Sequence, residues 1–311
     1  MKTHKKNMKA VICTQYGSPE VLKIQRVSKP IPKDNQILVK IVATAVNSGD
    51  VRVRSLDVQG FMKLIMRLVL GVSKPRKPIL GTVFSGIVET VGSKVSRFKA
   101  GDKVFGMTGF NFGTYAEYIA VNQNSHVLEM PDNASFEEAA AIIFGGQTAI
   151  YFLDKAKIAK KSNKKILIIG ATGSVGTAAI QIAKHYKNDI TAVCSSKGQE
   201  LVEELGVTKI ILYDKEDFTS RTEKFDIIFD TVGTSTKKQC KKLLNRNGIY
   251  KNVNTYASEK KQQLQLLKEL FEKRSFKAVI DRTFQMDEII EAHRYVDTGR
   301  KKGNIVLRIS E

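Results

Sequence analysis

KKILIIGATGSVGTAAIQIAK, Lys164 to Lys184, sets a short apolar run against a glycine-spaced turn and then a small-residue segment of helical period. Strand, turn and helix in that order are the setting of a phosphate-binding βα turn. Ala171 stands where the usual glycine pattern has its first glycine, with Gly170 just before it to make the bend. Gly173 is read as the point where the backbone meets a pyrophosphate, and as a residue that needs glycine's conformational freedom. Gly176 is read as the point where the new helix packs closely on the sheet. Free N–H groups over Ala171, Thr172, Gly173, Ser174, Val175 and Gly176, at the positive end of the helix dipole, then face the anion. A tight structural turn would also use glycine, but the flanking strands and helix favour a nucleotide site.

Working outward, helix and strand patterns alternate from Pro131 onward. ASFEEAAAIIFGGQTAIYFL and SVGTAAIQIAKHY read as helices, KILIIG, DITAVCS and KIILY as strands, followed by DIIFDTV and GIYKNV. Such alternation predicts a doubly wound parallel sheet, a Rossmann-type α/β fold. Residues 8–128 instead alternate β-like runs with Gly, Pro, Asn and Asp turns, which predicts a mostly β unit. The tail carries a helix from about Met286 to Val296 and a closing strand, NIVLRI, that returns to the first unit. The expected domains are 8–130 with 275–311, and 131–274.

Composition bounds the function classes. A chain of 311 residues with 42% hydrophobic content fits two domains of moderate size. The longest apolar tract, Leu64 to Val72, is interrupted by Arg67 and too short to cross a bilayer, and no apolar signal region follows the basic start; the expectation is a cytoplasmic protein. Cys13, Cys194 and Cys240 stand too far apart for a zinc spacing or a disulfide framework. The formal charge of +20 is spread thinly, without the aromatic interleaving of single-strand binders, so it is read as solvated surface rather than a nucleic-acid site.

The end of the second strand of this sheet bears on cofactor choice. An acid there would hydrogen-bond the ribose of NAD and repel a 2′-phosphate. The chain reads AVCSSKGQE, so Ser195, Ser196 and Lys197 offer hydroxyl donors and a cation, which favours NADPH.

Taken in order, YGSPEVL, AVNSGDVRVRS, KPILGTVFSGIVETVG, GDKVFG, YAEY, GGQTA, GATGSVGTAAIQIAK, FDIIFDTVG and EAHRYVDTGRKKGNIVL cover nearly the whole chain. This set resembles the zinc-independent quinone oxidoreductase branch of the medium-chain dehydrogenase/reductase superfamily. The resemblance implies a GroES-like β domain built from both chain ends, and a Rossmann domain inserted between them. It implies hydride transfer from NADPH to a quinone or an α,β-unsaturated carbonyl. Asn47 and Thr82 fall where zinc-dependent members of the superfamily carry cysteine and histidine, and neutral amide and hydroxyl groups are poor zinc ligands.

The resemblance also places Asn47, Asp50 and Arg52 as catalytic-site residues near the nicotinamide, with Arg54 completing their motif. Arg52 replaces a tyrosine common in relatives, and Val83 stands where many carry an acid. Thr148 corresponds to a cofactor-contacting threonine, Tyr213 to a tyrosine beside the 2′-phosphate, and Thr231, Val232 and Gly233 to residues bordering the ribose and nicotinamide. Relatives usually insert a strand and helix after GIYKNVNTY, and that strand often builds a dimer interface; its lack leaves monomer and homodimer both open. Phe61–Val72 is read as core or cleft lining, with contact to a membrane surface as the alternative. His4, His126, His185 and His293 form no cluster, and packing roles are expected. A cofactor-binding protein without turnover whose basic surface takes nucleic acid, and a zinc-free alcohol or aldehyde oxidoreductase, stand as the rival functions.

Overall fold

The computed structural model describes residues 6–56, 61–160 and 162–310; His4 lies outside them. They form two compact units, one from the described residues of Met1–Ile143 and Ile280–Glu311 and one from Phe144–Val279.

The first unit opens with an antiparallel pair, β1 (Asn7–Cys13) and β2 (Leu22–Ser28). Then come β3 (Gln36–Val46), helices α1 (Ser48–Ser55) and α2 (Phe61–Leu70), and strands β4 (Val83–Val91), β5 (Lys103–Met107), β6 (Tyr118–Asn122) and β7 (Val127–Glu129). The two helices interrupt a tract whose texture reads as mostly β. Local chemistry explains α1: Asn47 Oδ1 accepts from Gly49 N and Asp50 N, and Asp50 Oδ2 accepts from Asn47 N, a reciprocal capping box. In β3, Ile37, Val39 and Ile41 recur every second residue and enter one core with Phe84, Val104 and Tyr115.

Helix α3 (Phe136–Lys155) contains the division between the units. The second unit is built from β8 (Lys165–Ile169), α4 (Ser174–His185), β9 (Asp189–Cys194), α5 (Gln199–Glu204), β10 (Lys209–Leu212), β11 (Phe225–Asp230), α6 (Lys237–Cys240), β12 (Leu244–Asn252) and α7 (Lys261–Glu272). Its strands are all parallel, in the order β10-β9-β8-β11-β12. Ile166, Leu167 and Ile168 are fully buried in succession, as a central parallel strand covered on both faces requires. The strand order reverses between β8 and β11, which is where a doubly wound sheet opens a crevice for a nucleotide. Among the described residues the sheet stops at five strands, and the chain passes from β12 to α7 without another.

The tail returns to the first unit. Strand β14 (Asn304–Arg308) pairs antiparallel with β3, Ile305 opposite Val46, and parallel with β13 (Ile280–Gln285); α8 (Ile289–Asp297) lies between them in sequence. The larger sheet of this unit runs β13-β14-β3-β4-β5-β7, with β6 also paired to β3.

Candidate nucleotide site and active-site residues

The turn after β8 shows why its three glycines differ. Gly170 has φ +77°, the left-handed conformation that glycine takes at least cost, and a Cβ there would lie 2.2 Å from Val232 Cγ2. At Gly176 a Cβ would lie 2.1 Å from the Gly170 carbonyl oxygen, so close packing of α4 on the turn demands the missing side chain. Gly173 is different. It caps α4 with φ −74° and ψ 172°, ordinary extended backbone, and the nearest atom to a Cβ would be Gly170 O at 3.8 Å. The expectation that Gly173 needs glycine's freedom is therefore corrected: Gly170 carries that requirement. Nothing within the unit demands a bare backbone at Gly173, and the space beside it lies at the N-terminus of a twelve-residue helix.

The other expected nucleotide residues of this unit gather around the same strand ends. Thr231 Oγ1 donates to Ile169 O and Gly170 O at 2.8 and 3.0 Å, locking the turn from the end of β11. The loop behind it is organised by Asp230, which is fully buried and accepts from Val232 N, Gly233 N, Ser235 N and Ser235 Oγ. Gly233 has φ +84°, and a Cβ there would strike Asn254 Oδ1. On the other side, Gly198 sits against Thr172, so the Ser195–Lys197 segment flanks the turn. Tyr213 is exposed just beyond β10, its N–H bonded to Cys194 O. Thr148 is buried on α3 one turn beyond Gly145, where a Cβ would meet Ser174 O at 2.4 Å; Gly146 faces Leu267 of α7 as closely. Gly145 thus lets α3 press on the start of α4 and Gly146 lets it press on α7, a packing reason for the paired glycines.

Two acids here escaped the sequence reading. Asp230 ends β11 directly before Thr-Val-Gly, where one carboxylate gathers three backbone N–H groups. Asp214, one strand over from Lys197, accepts from Ser196 N at 2.9 Å, and that bond holds its carboxyl below the usual 3.8. The Ser196 hydroxyl is buried and meets no partner in hydrogen-bonding geometry, although it lies beside this carboxylate. A buried donor left in that state is suited to a ligand oxygen.

In the first unit, Asn47 joins β3 to α1 and is almost wholly buried; its Nδ2 donates to Thr82 Oγ1 at 2.9 Å. Asp50 has 0% exposure and accepts from Asn47 N at 3.1 Å and Tyr115 Oη at 3.0 Å, while its Oδ1 has no partner. Burial pushes its carboxyl up from 3.8 to about 7, against those two hydrogen bonds. Tyr115, which no motif singled out as a polar contact, is pushed well above its usual 10 by burial and then by the neighbouring Asp50. Arg54 is buried and donates Nη2 to both carboxylate oxygens of Asp297, tying α1 to α8. His293 of α8 stacks edge-on against Tyr115 at 5.7 Å, and burial, then the Arg54 charge, lowers it from 6.5 to about 3. It is a neutral packing histidine. Arg52 lies on the exposed side of α1, and Val83 begins β4 in the core.

Family models for the alcohol dehydrogenase GroES-like domain and for zinc-binding dehydrogenase match residues 33–132 and 174–292. The chain is 35% identical over 324 residues to the 2-methylene-furan-3-one reductase of Solanum lycopersicum, covering 96% of this chain and 79% of that protein. It belongs to the quinone oxidoreductase-like branch of the medium-chain dehydrogenase/reductase superfamily. A second relative, the chloroplastic NADPH-dependent alkenal/one oxidoreductase of Arabidopsis thaliana, is 29% identical over 97% of this chain and 80% of its own length. The solved quinone oxidoreductase of Coxiella burnetii superposes with a TM-score of 0.86 at 28% identity, over 98% of this chain and all of the other.

The hydrogen bond from Asn47 to Thr82 joins the two residues that the resemblance sets at the cysteine and histidine positions of zinc-dependent members. The amide oxygen is already committed to the α1 cap and the hydroxyl to the amide, so neither is a competitive zinc ligand. Among the described residues no group of three or more His, Cys, Asp or Glu is placed to hold a metal ion. No helix among them is long and apolar enough to cross a membrane.

Proposed function

We propose that this chain is an NADPH-dependent reductase that transfers hydride to a quinone or to the β-carbon of an α,β-unsaturated carbonyl. The observation that carries the reading is the open, side-chain-free backbone at Gly173, set at the start of α4 between two glycines that packing explains. The activities of the tomato, Arabidopsis and Coxiella proteins support the acceptor class. The nucleotide belongs to the 131–274 segment, and the acceptor to residues 8–130 with 275–311.

In this reading the N–H groups at the start of α4 and the Thr148 hydroxyl hold the pyrophosphate side; those of Ala171 and Gly173, expected to be free, instead donate within the turn to Val193 O and Gly170 O. Ser195, Ser196, Lys197 and Tyr213 take the 2′-phosphate, and Thr231, Val232 and Gly233 border the ribose and nicotinamide. When bound, the cofactor supplies a hydride. Arg52 and the second amide hydrogen of Asn47 donate to the acceptor's carbonyl oxygen, where negative charge develops. Asp50 has no surface to offer a ligand, so it is a positioning residue that fixes Asn47 through the helix cap. The three cysteines are free and buried, the state that a reducing compartment such as the cytoplasm maintains.

The test is steady-state NADPH oxidation against a panel of quinones, 2-alkenals and alkylidene furanones, with NADH in parallel. Acceptor-dependent oxidation, faster with NADPH, is expected. No turnover with any acceptor in the panel, by protein that binds NADPH, would replace the reductase with a cofactor-binding protein lacking turnover.

A further inference from the structure

Among the described side chains of helix α2, Met66 and Leu70 are the ones that pack on the core of the first unit. Leu64, Ile65, Leu68 and Val69 are exposed, Leu68 at 59% and Val69 at 63%. At 3.6 residues per turn these four cover an arc of about 140°, and Val72 just beyond the helix is exposed as well. The arc that faces water is therefore apolar, the reverse of the usual surface helix, and contiguous apolar surface of this kind marks a place where something docks.

The surrounding charge says what docks. From Phe61 to Leu80 the chain has Lys63, Arg67, Lys74, Arg76 and Lys77 and no Asp or Glu. Arg67 is exposed beside the apolar arc, and Lys74, Arg76 and Lys77 are exposed in the loop that follows. Lys77 Nζ donates to Asn111 Oδ1 at 2.8 Å and Phe110 O at 3.3 Å, which brings a further exposed aromatic, Phe110, to the edge of the same basic loop. A second copy of this chain would bring another +20 against the patch, and a nucleic acid offers no apolar phase for leucine and valine. An anionic bilayer supplies both partners, an acyl boundary for the arc and phosphates for the cations.

We propose that α2 is an in-plane docking element for an anionic lipid surface, with Leu64, Ile65, Leu68 and Val69 entering the headgroup boundary and Arg67, Lys74 and Arg76 meeting lipid phosphates. At ten residues the helix is too short to hold by apolar burial alone, so attachment needs both terms and weakens with salt.

Flotation of the full-length chain with phosphatidylcholine vesicles, with and without phosphatidylglycerol, tests this. Binding is expected with the anionic vesicles at low ionic strength, with little on phosphatidylcholine alone and release as salt rises. The pairs Leu68→Glu with Val69→Glu, and Arg67→Glu with Lys74→Glu, should each cut the bound fraction by about tenfold or more, each losing one of the two required terms. Melting temperature should hold, because these side chains lie outside the core; if the apolar pair lowers it, the charge pair decides. Failure of the wild type to float, equal binding to both vesicle types, or wild-type binding by the charge pair would overturn the proposal. So would a wild-type dimer in light scattering that the apolar pair converts to monomer, without vesicle binding.

Discussion

Replacing Gly173 and Gly176 separately by alanine should give opposite outcomes. At Gly176 the added Cβ would stand 2.1 Å from Gly170 O and 2.8 Å from Ala171 Cα, both backbone, so α4 must move off the turn. Overpacking of that kind costs about 1–3 kcal/mol, and each kcal/mol lowers Tm by roughly 2–4 °C in a domain of about 150–250 residues. At Gly173 the backbone is already in a conformation that alanine adopts, and the nearest atom is 3.8 Å away. Gly173→Ala should therefore leave Tm unchanged or slightly raised, since it narrows the unfolded ensemble without straining the fold. What it fills is the space beside the α4 N-terminus. If a pyrophosphate belongs there, one charge-assisted hydrogen bond is lost, about 1.5–3 kcal/mol, which weakens NADPH by roughly 10- to 150-fold. Calorimetric titration of NADPH beside scanning calorimetry of the free protein measures both quantities. A Gly173→Ala protein that melts like the wild type and binds NADPH with undiminished affinity would refute the nucleotide site at this turn.

Asp50→Asn should remove a pH dependence of stability. Between 3.8 and about 7 the folded chain holds a proton on Asp50 that the unfolded chain has released, so this residue makes stability fall as pH rises through that window, by at most about 4 kcal/mol. The variant's stability relative to wild type should rise from pH 5 to pH 8 in urea unfolding; parallel curves would show that Asp50 is not buried as described. Lys197→Glu should weaken NADPH on the order of tenfold more than NADH, as expected for reversing an exposed partner of the 2′-phosphate. Asp214→Asn, by removing the carboxylate beside Ser196, should tighten NADPH with little change for NADH. Equal effects on both cofactors in fluorescence titrations would remove these residues from the phosphate site. Exhaustive treatment with a zinc chelator should leave acceptor-dependent NADPH oxidation intact, given the commitments of Asn47 and Thr82; loss of activity restored by zinc would contradict that account.

Much of this fold was legible because local signals agreed with the tertiary result. A five-residue apolar strand, a glycine turn and a small-residue helix leave few alternatives to a βα unit, and its repetition implies a parallel sheet by handedness and packing alone. The same patterns located the strand-rich first part and the strand that returns at the C-terminus. Asn47, Asp50, Thr148 and Thr231 could be named from the resemblance because they stand in fixed local motifs; that Asp50 is fully buried, and so holds Asn47 rather than meeting a ligand, only the structure decided. Sequence could not say which glycine bears the strain, since backbone torsion and the atoms facing a missing Cβ are set by neighbours distant in the chain: Val232 at Gly170, Ser174 at Gly145, Asn254 at Gly233. Nor could it show that Asp214 reaches the Ser196 amide, that Asp50 is sealed under Tyr115, or that α2 turns Leu64 and Leu68 outward while Leu70 enters the core. Periodicity reports that a helix has an apolar face; what that face meets depends on every other element packed around it.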